Sequence, residues 1–221
     1  MAVKSVSRIQ MIEPSIHTEE KGTARLEAFS DGVFAIAITL LILEIKVPGG
    51  EELKHTSLTK YLFDQWPKYF AYIFSFLVLG IYWTNHHYLF KLYKRTDHWF
   101  NLLNVFFLMT ISFLPFPSAI LGEYIHEPEQ FEASVRFYAV GIALPAFVWL
   151  ICWLYASHNK RIIDTRLSGV FIRHLTRQFF ISNVIYLSAI LLSFKYPRVS
   201  LTLIIVLTLA YLLPSKKPEY D

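Results

Sequence analysis

Six apolar stretches, each long enough to cross a lipid bilayer, constrain the fold of this 221-residue chain more than any other feature of its sequence. About 20 helical residues span the hydrocarbon core of a membrane, and a helix there pairs its own backbone groups. The stretches lie at residues 25–47, 67–90, 98–121, 133–157, 170–194 and 197–214. They predict an all-α membrane protein with six transmembrane helices.

The composition favours lipid as the main surroundings of the chain. Hydrophobic residues make up 54% of the sequence and charged residues 17%, whereas soluble domains carry about 25% charged residues. The net charge of +4 is small, and the basic residues are divided among the segments between the apolar stretches. This distribution is typical of a membrane protein and argues against a nucleic-acid partner.

The distribution of lysine and arginine predicts the orientation of the chain. Residues 1–24 form a polar tail, residues 25–214 the transmembrane domain, and residues 215–221 a short C-terminal tail. The two tails, the start of the first span and the links at 91–95 and 158–177 together hold 14 of the 21 basic residues. The protein is expected in the plasma membrane. Because cytoplasmic loops carry an excess of Lys and Arg, both of its termini are expected in the cytoplasm.

Prolines predict where two of the helices bend or stop. Pro115 and Pro117 are expected to kink or end the third helix, and Pro145 to kink the fourth, because proline removes a backbone donor and clashes with the preceding turn. The sequence KYPR between the fifth and sixth stretches leaves room only for a tight turn.

The first span, RLEAFSDGVFAIAITLLILEIKVP, opens with polar residues that need partners. An ionisable side chain inside a membrane is costly and normally pairs within the helix bundle. We expect a structural polar network that joins Arg25, Ser30 and Asp31 to one of the histidines of the second span. The alternative is that Asp31 lies at the membrane interface and contacts headgroup water. The candidate partners in the second span are Trp83, Asn85, His86 and His87.

The same span carries an aliphatic stripe. On a helical wheel, Ile36, Leu40 and Leu43 share one face, with Thr39 at its edge, and Asp31 faces about 140° away from Ile36. Such a stripe either packs against another helix or lipid, or it lines a pore formed by four copies of the chain, which would gate by expelling water. The Thr39 hydroxyl either faces that pore or bonds back to the carbonyl of its own helix.

The segment RLEAFSDGVFAIAITLL strongly resembles the signature of the transmembrane protein 175 family, which are potassium channels of lysosomes and prokaryotes. The family is marked by an Arg followed by Phe-Ser-Asp, matched here by Arg25, Phe29, Ser30 and Asp31. The length of the chain, its six spans and the segment WTNHH are also similar to the single-repeat prokaryotic members. The resemblance implies a homotetramer whose first helices line a central pore.

The resemblance further implies a role for each residue of the stripe. The main hydrophobic constriction falls on Ile36, the hydroxyl layer tied to potassium preference on Thr39, and further narrowing on Leu40 and Leu43. The expected function is a channel for monovalent cations, moderately selective for potassium over sodium. Such a protein is not an enzyme, holds no fixed metal and needs no cofactor beyond the permeant potassium ion near Thr39.

Two other functions stay open. A secondary cation transporter would usually show related halves and interrupted helices at mid-membrane, and single-channel currents would distinguish the two. A membrane redox or metal protein ligated by His86 and His87 is the second alternative. Adjacent residues on a helix point about 100° apart, so these two do not easily share one centre.

Overall fold

The computed structural model describes residues 22–221, so most of the predicted N-terminal tail lies outside the described residues. In the described part the chain is helical, with two isolated β-bridges as its only strand-like pairings. Residues 22–221 contain eight α-helices. These are α1 (Ala24–Leu40), α2 (Leu58–Asp64), α3 (Trp66–Leu92), α4 (His98–Phe113), α5 (Pro115–Tyr124), α6 (Phe131–Ser157), α7 (Gly169–Ser193) and α8 (Pro197–Ala210).

Helices occupy all six predicted stretches, with α4 and α5 together forming the third. Within the described part of the chain, four segments are suited by length and composition to cross a membrane: Ala24–Glu44, His98–Tyr124, Phe131–Lys160 and Gly169–Ser193. Helix α3 has 27 residues but contains the polar segment WTNHH, and α8 has only 14 residues. The all-helical membrane architecture is therefore found, and the count of six spans stays a prediction.

The proline predictions are confirmed at the third stretch. Helix α4 ends at Phe113 and α5 begins at Pro115. Helix α5 approaches α6 closely at Gly141, since a Cβ atom added to Gly141 would lie 2.6 Å from Cγ of Pro117. Helix α6 continues through Pro145, where a kink stays a prediction, and the tight turn between α7 and α8 is present.

Two helices end earlier than predicted. The α-helical part of the first span stops at Leu40, and a 3₁₀ turn continues from Leu41 to Glu44 instead of an α-helix reaching residue 47. Helix α8 stops at Ala210 rather than at residue 214. The 3₁₀ turn ends four residues before Pro48, and α8 ends four residues before Pro214. Proline disfavours the helical conformation of the residue preceding it.

Helix α6 lies at the centre of the bundle and packs against α4, α5, α7 and α8. Its Trp153 and Tyr138 are almost completely buried, as are Phe107 of α4 and Phe171 of α7. Helix α1 packs on α3 and α4 and, less extensively, on α5. The chain therefore has α1 on one side of the bundle, while α7 and α8 pack on α6 and on each other.

The links after α3 and α6 meet at one end of the bundle. Asp97 accepts hydrogen bonds from the backbone N–H of Phe100, the Tyr155 hydroxyl and Arg161 Nε, so one carboxylate caps α4 and ties it to the α6 side. Hydrogen bonds from the side chain and backbone of Arg166 lower the pKa of Asp164 to about 2. Both carboxylates thus belong to the end predicted to face the cytoplasm.

The C-terminal residues are held at the same end. The backbone N–H of Ser168 donates to the carbonyl of Glu219 at 2.9 Å, and Tyr220 forms a β-bridge with Leu167. The Tyr88 hydroxyl of α3 donates to the carbonyl of Lys216 at 2.6 Å. The segment predicted only as a tail is therefore docked against α3 and the link that precedes α7.

Candidate functional site

The predicted stripe on α1 is left uncovered by the rest of the chain. Ile36 is 61% exposed, Leu40 42% and Leu43 67%, although all three are large aliphatic residues. In the most apolar part of Ala24–Glu44 only 22% of the residues are buried, compared with 61% in the most apolar part of Phe131–Lys160. The opposite face of α1 is packed inside the bundle. A single chain therefore presents this stripe to something outside itself.

A second exposed stripe of small residues runs beside the aliphatic one. At about 100° per residue, Ala28, Gly32, Ala35 and Thr39 lie on one line, and all four are exposed. A Cβ atom added to Gly32 would meet no atom within 4 Å. Small residues on a membrane helix allow another helix to approach closely. The exposed half of α1 thus combines a large apolar stripe with a surface suited to helix packing.

The Thr39 side chain forms the intrahelical bond that the sequence left as an alternative. Its hydroxyl lies 3.0 Å from the carbonyl of Ala35 and 2.9 Å from that of Ile36, and it donates its proton to this pair. A hydroxyl oxygen has two lone pairs besides its proton, and a cation is bound through lone pairs. Because Thr39 is exposed, the bond to its own backbone leaves the oxygen able to face a cation.

The 3₁₀ turn at the end of α1 aligns two of the stripe residues. In a 3₁₀ helix, residues three apart eclipse one another, and Leu40 and Leu43 are the pair at this junction. Leu41, between them, is 1% exposed and packs into the core. The turn therefore keeps Leu43 on the uncovered face while Leu41 anchors the segment to the bundle.

A buried hydrogen-bond chain joins α1, α3 and α4. His86 Nε2 lies 3.2 Å from Oδ1 of Asn104, and Asn104 Nδ2 donates to Ser30 Oγ at 2.9 Å. Ser30 in turn donates to the carbonyl of Leu26 at 2.7 Å. Because a carbonyl oxygen only accepts, Nε2 of His86 carries the proton in this arrangement. Every link of the chain then has a defined direction.

His86, the histidine of this hydrogen-bond chain, is enclosed by aromatic rings. His86 is 2% exposed, and its ring stacks on Phe90 with centroids 4.2 Å apart. Phe34 of α1, Phe107 of α4 and Trp149 of α6 complete the enclosure. Among the described residues, Nδ1 of His86 has no hydrogen-bond partner. The hydrogen-bond chain between α1, α3 and α4 therefore lies inside an apolar shell.

A second polar group connects α1 and α3 closer to the surface. Trp83 Nε1 donates to Oδ1 of Asp31 at 2.9 Å, and His87 Nδ1 lies 2.8 Å from Oε1 of Glu27. The rings of Trp83 and His87 are nearly parallel, with centroids 6.4 Å apart. One turn of α1 thus presents two carboxylates to one turn of α3.

The expected single network is therefore divided in two. Ser30 reaches a histidine, but through Asn104, while Asp31 pairs with Trp83 instead of either histidine. Arg25 and Phe29 lie exposed and join neither group. The remaining candidate, Asn85, bonds to the carbonyl of Ile81 and to the Ser215 hydroxyl.

Two members of these groups, Glu27 and Asn104, were missed by sequence reasoning. Asn104 had a signal, because it is an amide within the apolar run NLLNVFFLMT, where an unpaired polar group is costly. Glu27 lies one turn before Asp31 on the same helix, a spacing that places both side chains opposite the same partner helix.

The histidine pair does not form a common ligand set. His86 is directed to Asn104 and His87 to Glu27, so the two rings serve different groups. Within residues 22–221, no cluster of three or more His, Cys, Asp or Glu side chains is arranged to hold a metal ion. The uncovered face of α1 is therefore the feature that needs a functional explanation.

Known proteins resemble this chain over much of its length. The family model described as "Endosomal/lysosomal potassium channel TMEM175" matches residues 25–115. A potassium channel of Chamaesiphon minutus is 38% identical over 197 residues, which cover 89% of this chain and 97% of that protein. A potassium channel of Streptomyces collinus is 41% identical over 150 residues, covering 66% of this chain and 70% of that protein.

A solved structure shows the same similarity in three dimensions. The crystal structure of a lysosomal potassium-selective channel TMEM175 homologue from Chamaesiphon minutus matches with a TM-score of 0.78 at 38% identity. The match covers 87% of this chain and 97% of that one. It extends well beyond α1 and includes most of the helical bundle.

Proposed function

This chain belongs to the TMEM175 family of potassium channels, and from that premise we propose that four copies of it form a potassium channel with α1 of each copy around a shared axis. The observation that carries the proposal is the uncovered stripe of Ile36, Leu40 and Leu43 on a helix whose opposite face is buried. Four such stripes around an axis shield one another from lipid and enclose an apolar passage.

The small-residue stripe supports the tetrameric arrangement. Gly32 and Ala35 lie beside the aliphatic stripe, so a neighbouring copy can pack there while Ile36 points toward the axis. On the helical wheel Asp31 lies between the small-residue stripe and the buried face of α1, and it is held by Trp83 of its own chain. The next copy would therefore pack on the small-residue stripe, outside the contact of α1 with its own α3.

The proposed passage selects ions with side chains alone. A continuous helix uses its carbonyls in its own hydrogen bonds, so α1 cannot present them to an ion as an extended carbonyl filter does. Ile36 forms the hydrophobic constriction, and Leu40 and Leu43 narrow the passage further. Potassium holds its water less tightly than sodium and crosses such a ring at a lower dehydration cost, while the Thr39 oxygens replace part of the lost water. Both contributions are small, so the preference for potassium is moderate.

We also propose six membrane spans with both termini in the cytoplasm of the cell that carries the channel. Helix α3 serves as the second span, its polar residues satisfied by Asp31, Glu27 and Asn104, and α8 serves as a short sixth span. The links that precede α4 and α7, which hold many of the basic residues, then lie on the cytoplasmic side. The permeant potassium ion is the only ligand that the proposal requires.

Recording from purified full-length protein in planar bilayers tests the proposal. With potassium on one side and sodium on the other, we expect discrete single-channel currents and a reversal potential displaced toward the potassium equilibrium potential. Currents without discrete steps, limited to the turnover of a transport cycle, would favour the transporter instead. A reversal potential at zero would contradict potassium selectivity.

Replacing Thr39 by alanine is expected to lower the potassium-to-sodium permeability ratio by about two- to tenfold, the range that about 0.4–1.4 kcal/mol of lost stabilisation gives. The substitution removes the hydroxyl oxygens and leaves the apolar rings in place. Thr39→Ser keeps the hydroxyl and should retain most of the ratio. Reversal potentials under bi-ionic conditions measure the effect, and a ratio identical to wild type in Thr39→Ala would remove Thr39 from the filter.

Replacing Asp31 by alanine is expected to harm tetramer assembly more than ion selectivity. Asp31 faces away from the stripe and accepts the Trp83 N–H, so its loss leaves the contact between α1 and α3 weaker. Trp83→Phe removes the same hydrogen bond from the other side and should have the same effect. Size-exclusion chromatography gives the assembled fraction, and a well-assembled Asp31→Ala channel with altered selectivity would show that this assignment is wrong.

A further inference from the structure

The unequal lengths of α7 and α8 leave a groove at one end of the bundle. Helix α7 has 25 residues and α8 has 14, so at 1.5 Å per residue they measure about 37 Å and about 21 Å. A short turn joins them at one end, and α8 therefore stops well before it reaches the start of α7. A cavity of about 320 Å³ lies there, beside the first half of α7 and the end of α8.

The lining of this groove changes from basic to apolar along its length. His174 and Arg177 lie toward the start of α7, and the aliphatic residues Ile181, Ile185 and Leu207 lie deeper. Gln178 and the Tyr211 hydroxyl, which bonds to Ser182 at 2.5 Å, lie between the two zones. Among residues 22–221, no Asp or Glu lines the groove, and no ion pair includes Arg177 or His174.

The depth of the basic zone matches the boundary between headgroups and acyl chains. If the outer end of α7 at Ser193 lies at one surface of a core about 30 Å thick, the opposite surface falls near residue 174. Arg177 is then one turn inside the core, where a guanidinium reaches outward to headgroups or pairs with an anion. The apolar zone lies at the depth of the acyl chains.

We propose that this groove binds an anionic phospholipid of the leaflet facing that end of the bundle. The lipid phosphate accepts hydrogen bonds from the Arg177 guanidinium and the His174 ring, and one acyl chain lies along Ile181, Ile185 and Leu207. Arginine suits this role because its planar fork bonds two phosphate oxygens at once. Basic pockets between membrane helices are a known means of binding acidic headgroups.

The groove is separate from the proposed ion passage. Helices α7 and α8 pack on α6 and on each other, while α1 packs on α3, α4 and α5. In a tetramer built around α1, the groove lies on the far side of the bundle and faces lipid. The proposal requires membrane insertion of the bundle and does not require ion conduction.

Native mass spectrometry of the purified full-length protein with defined lipids tests the site. Wild-type protein should retain phosphatidylglycerol in preference to phosphatidylcholine. Arg177→Gln should weaken phosphatidylglycerol binding about tenfold, as expected for loss of about 1.4 kcal/mol. Arg173→Gln is the matched control, because Arg173 is an exposed cation one turn earlier on α7 and does not line the groove. It should bind like wild type.

A second variant tests the shape of the groove without changing its charge. Ala210 is exposed and lines the groove, so Ala210→Trp should fill the space and weaken phosphatidylglycerol binding while Arg177 stays in place. If Arg177→Gln does not fold, Ala210→Trp still tests whether the groove binds the lipid. Equal retention of the two lipids by wild type, or unchanged binding in Ala210→Trp, would overturn the proposal. Displacement of the lipid by millimolar inorganic phosphate would also overturn it and indicate a site for the free anion.

Discussion

Replacing Ile36 by asparagine is expected to raise potassium flux through the channel about tenfold or more. Ile36 is the large aliphatic residue proposed for the main constriction, where water is excluded and an ion must lose hydration to pass. In the proposed tetramer, four amide groups in place of the isoleucines would keep the ring hydrated. Lowering the barrier by about 1.4 kcal/mol raises the rate about tenfold. Single-channel conductance and liposome flux measure the change.

Two controls separate this effect from a general disturbance of the helix. Ile36→Val keeps an apolar ring and should change conductance only slightly. Ile73 of α3 has a similar exposure of 64% compared with 61% for Ile36, so Ile73→Asn places the same amide on another uncovered surface and should leave conductance unchanged. Unchanged conductance in an assembled Ile36→Asn tetramer would refute its proposed role in gating.

Replacing Asn104 by leucine is expected to lower the free energy of unfolding by about 1–3 kcal/mol, the usual cost of one buried polar group left without a partner. Asn104 is 3% exposed and is the only link between His86 and Ser30. Without it, the His86 N–H has no acceptor inside its aromatic enclosure. Thermal or denaturant unfolding of the detergent-solubilised protein, followed by tryptophan fluorescence, measures the loss.

A double substitution distinguishes an unpaired group from a packing defect. When both partners of a buried hydrogen bond become apolar, the cost can be nearly cancelled. Adding His86→Leu to Asn104→Leu should therefore restore part of the lost free energy. Asn101→Leu on the same helix is the control, because Asn101 is only partly buried and accepts one bond, from the Thr96 hydroxyl. It should cost less than Asn104→Leu. Strictly additive losses at His86 and Asn104 would contradict the network.

The helical elements followed closely from local sequence rules. Pro115 and Pro117 predicted the break between α4 and α5, and the KYPR turn was placed correctly. The wheel also placed Ile36, Leu40 and Leu43 on one face of α1, and in the structure all three are exposed while Phe34 is buried. These features depend on residues within one or two turns of each other, and for that reason periodicity and proline chemistry are sufficient to predict them.

The partners of the polar residues did not follow from the same rules. The sequence placed Ser30 and Asp31 against the second span as a whole, but could not show that Asn104 stands between Ser30 and His86 or that Glu27 meets His87. Such contacts depend on how far each helix is rotated and shifted against its neighbours. That rotation is set by the packing of all the aromatic and aliphatic side chains around them, which no local pattern contains.

The amino-acid sequence by itself therefore determined the apolar helices, the break between α4 and α5 and which residues share the aliphatic stripe of α1, because each follows from spacing along one helix. Only the tertiary structure decided which side chains satisfy the buried polar groups, where the C-terminal residues dock, and that α8 stops short enough to leave a basic groove beside α7. Those features lie where separate helices pack together, and the packing geometry of two helices depends on every residue in their contact.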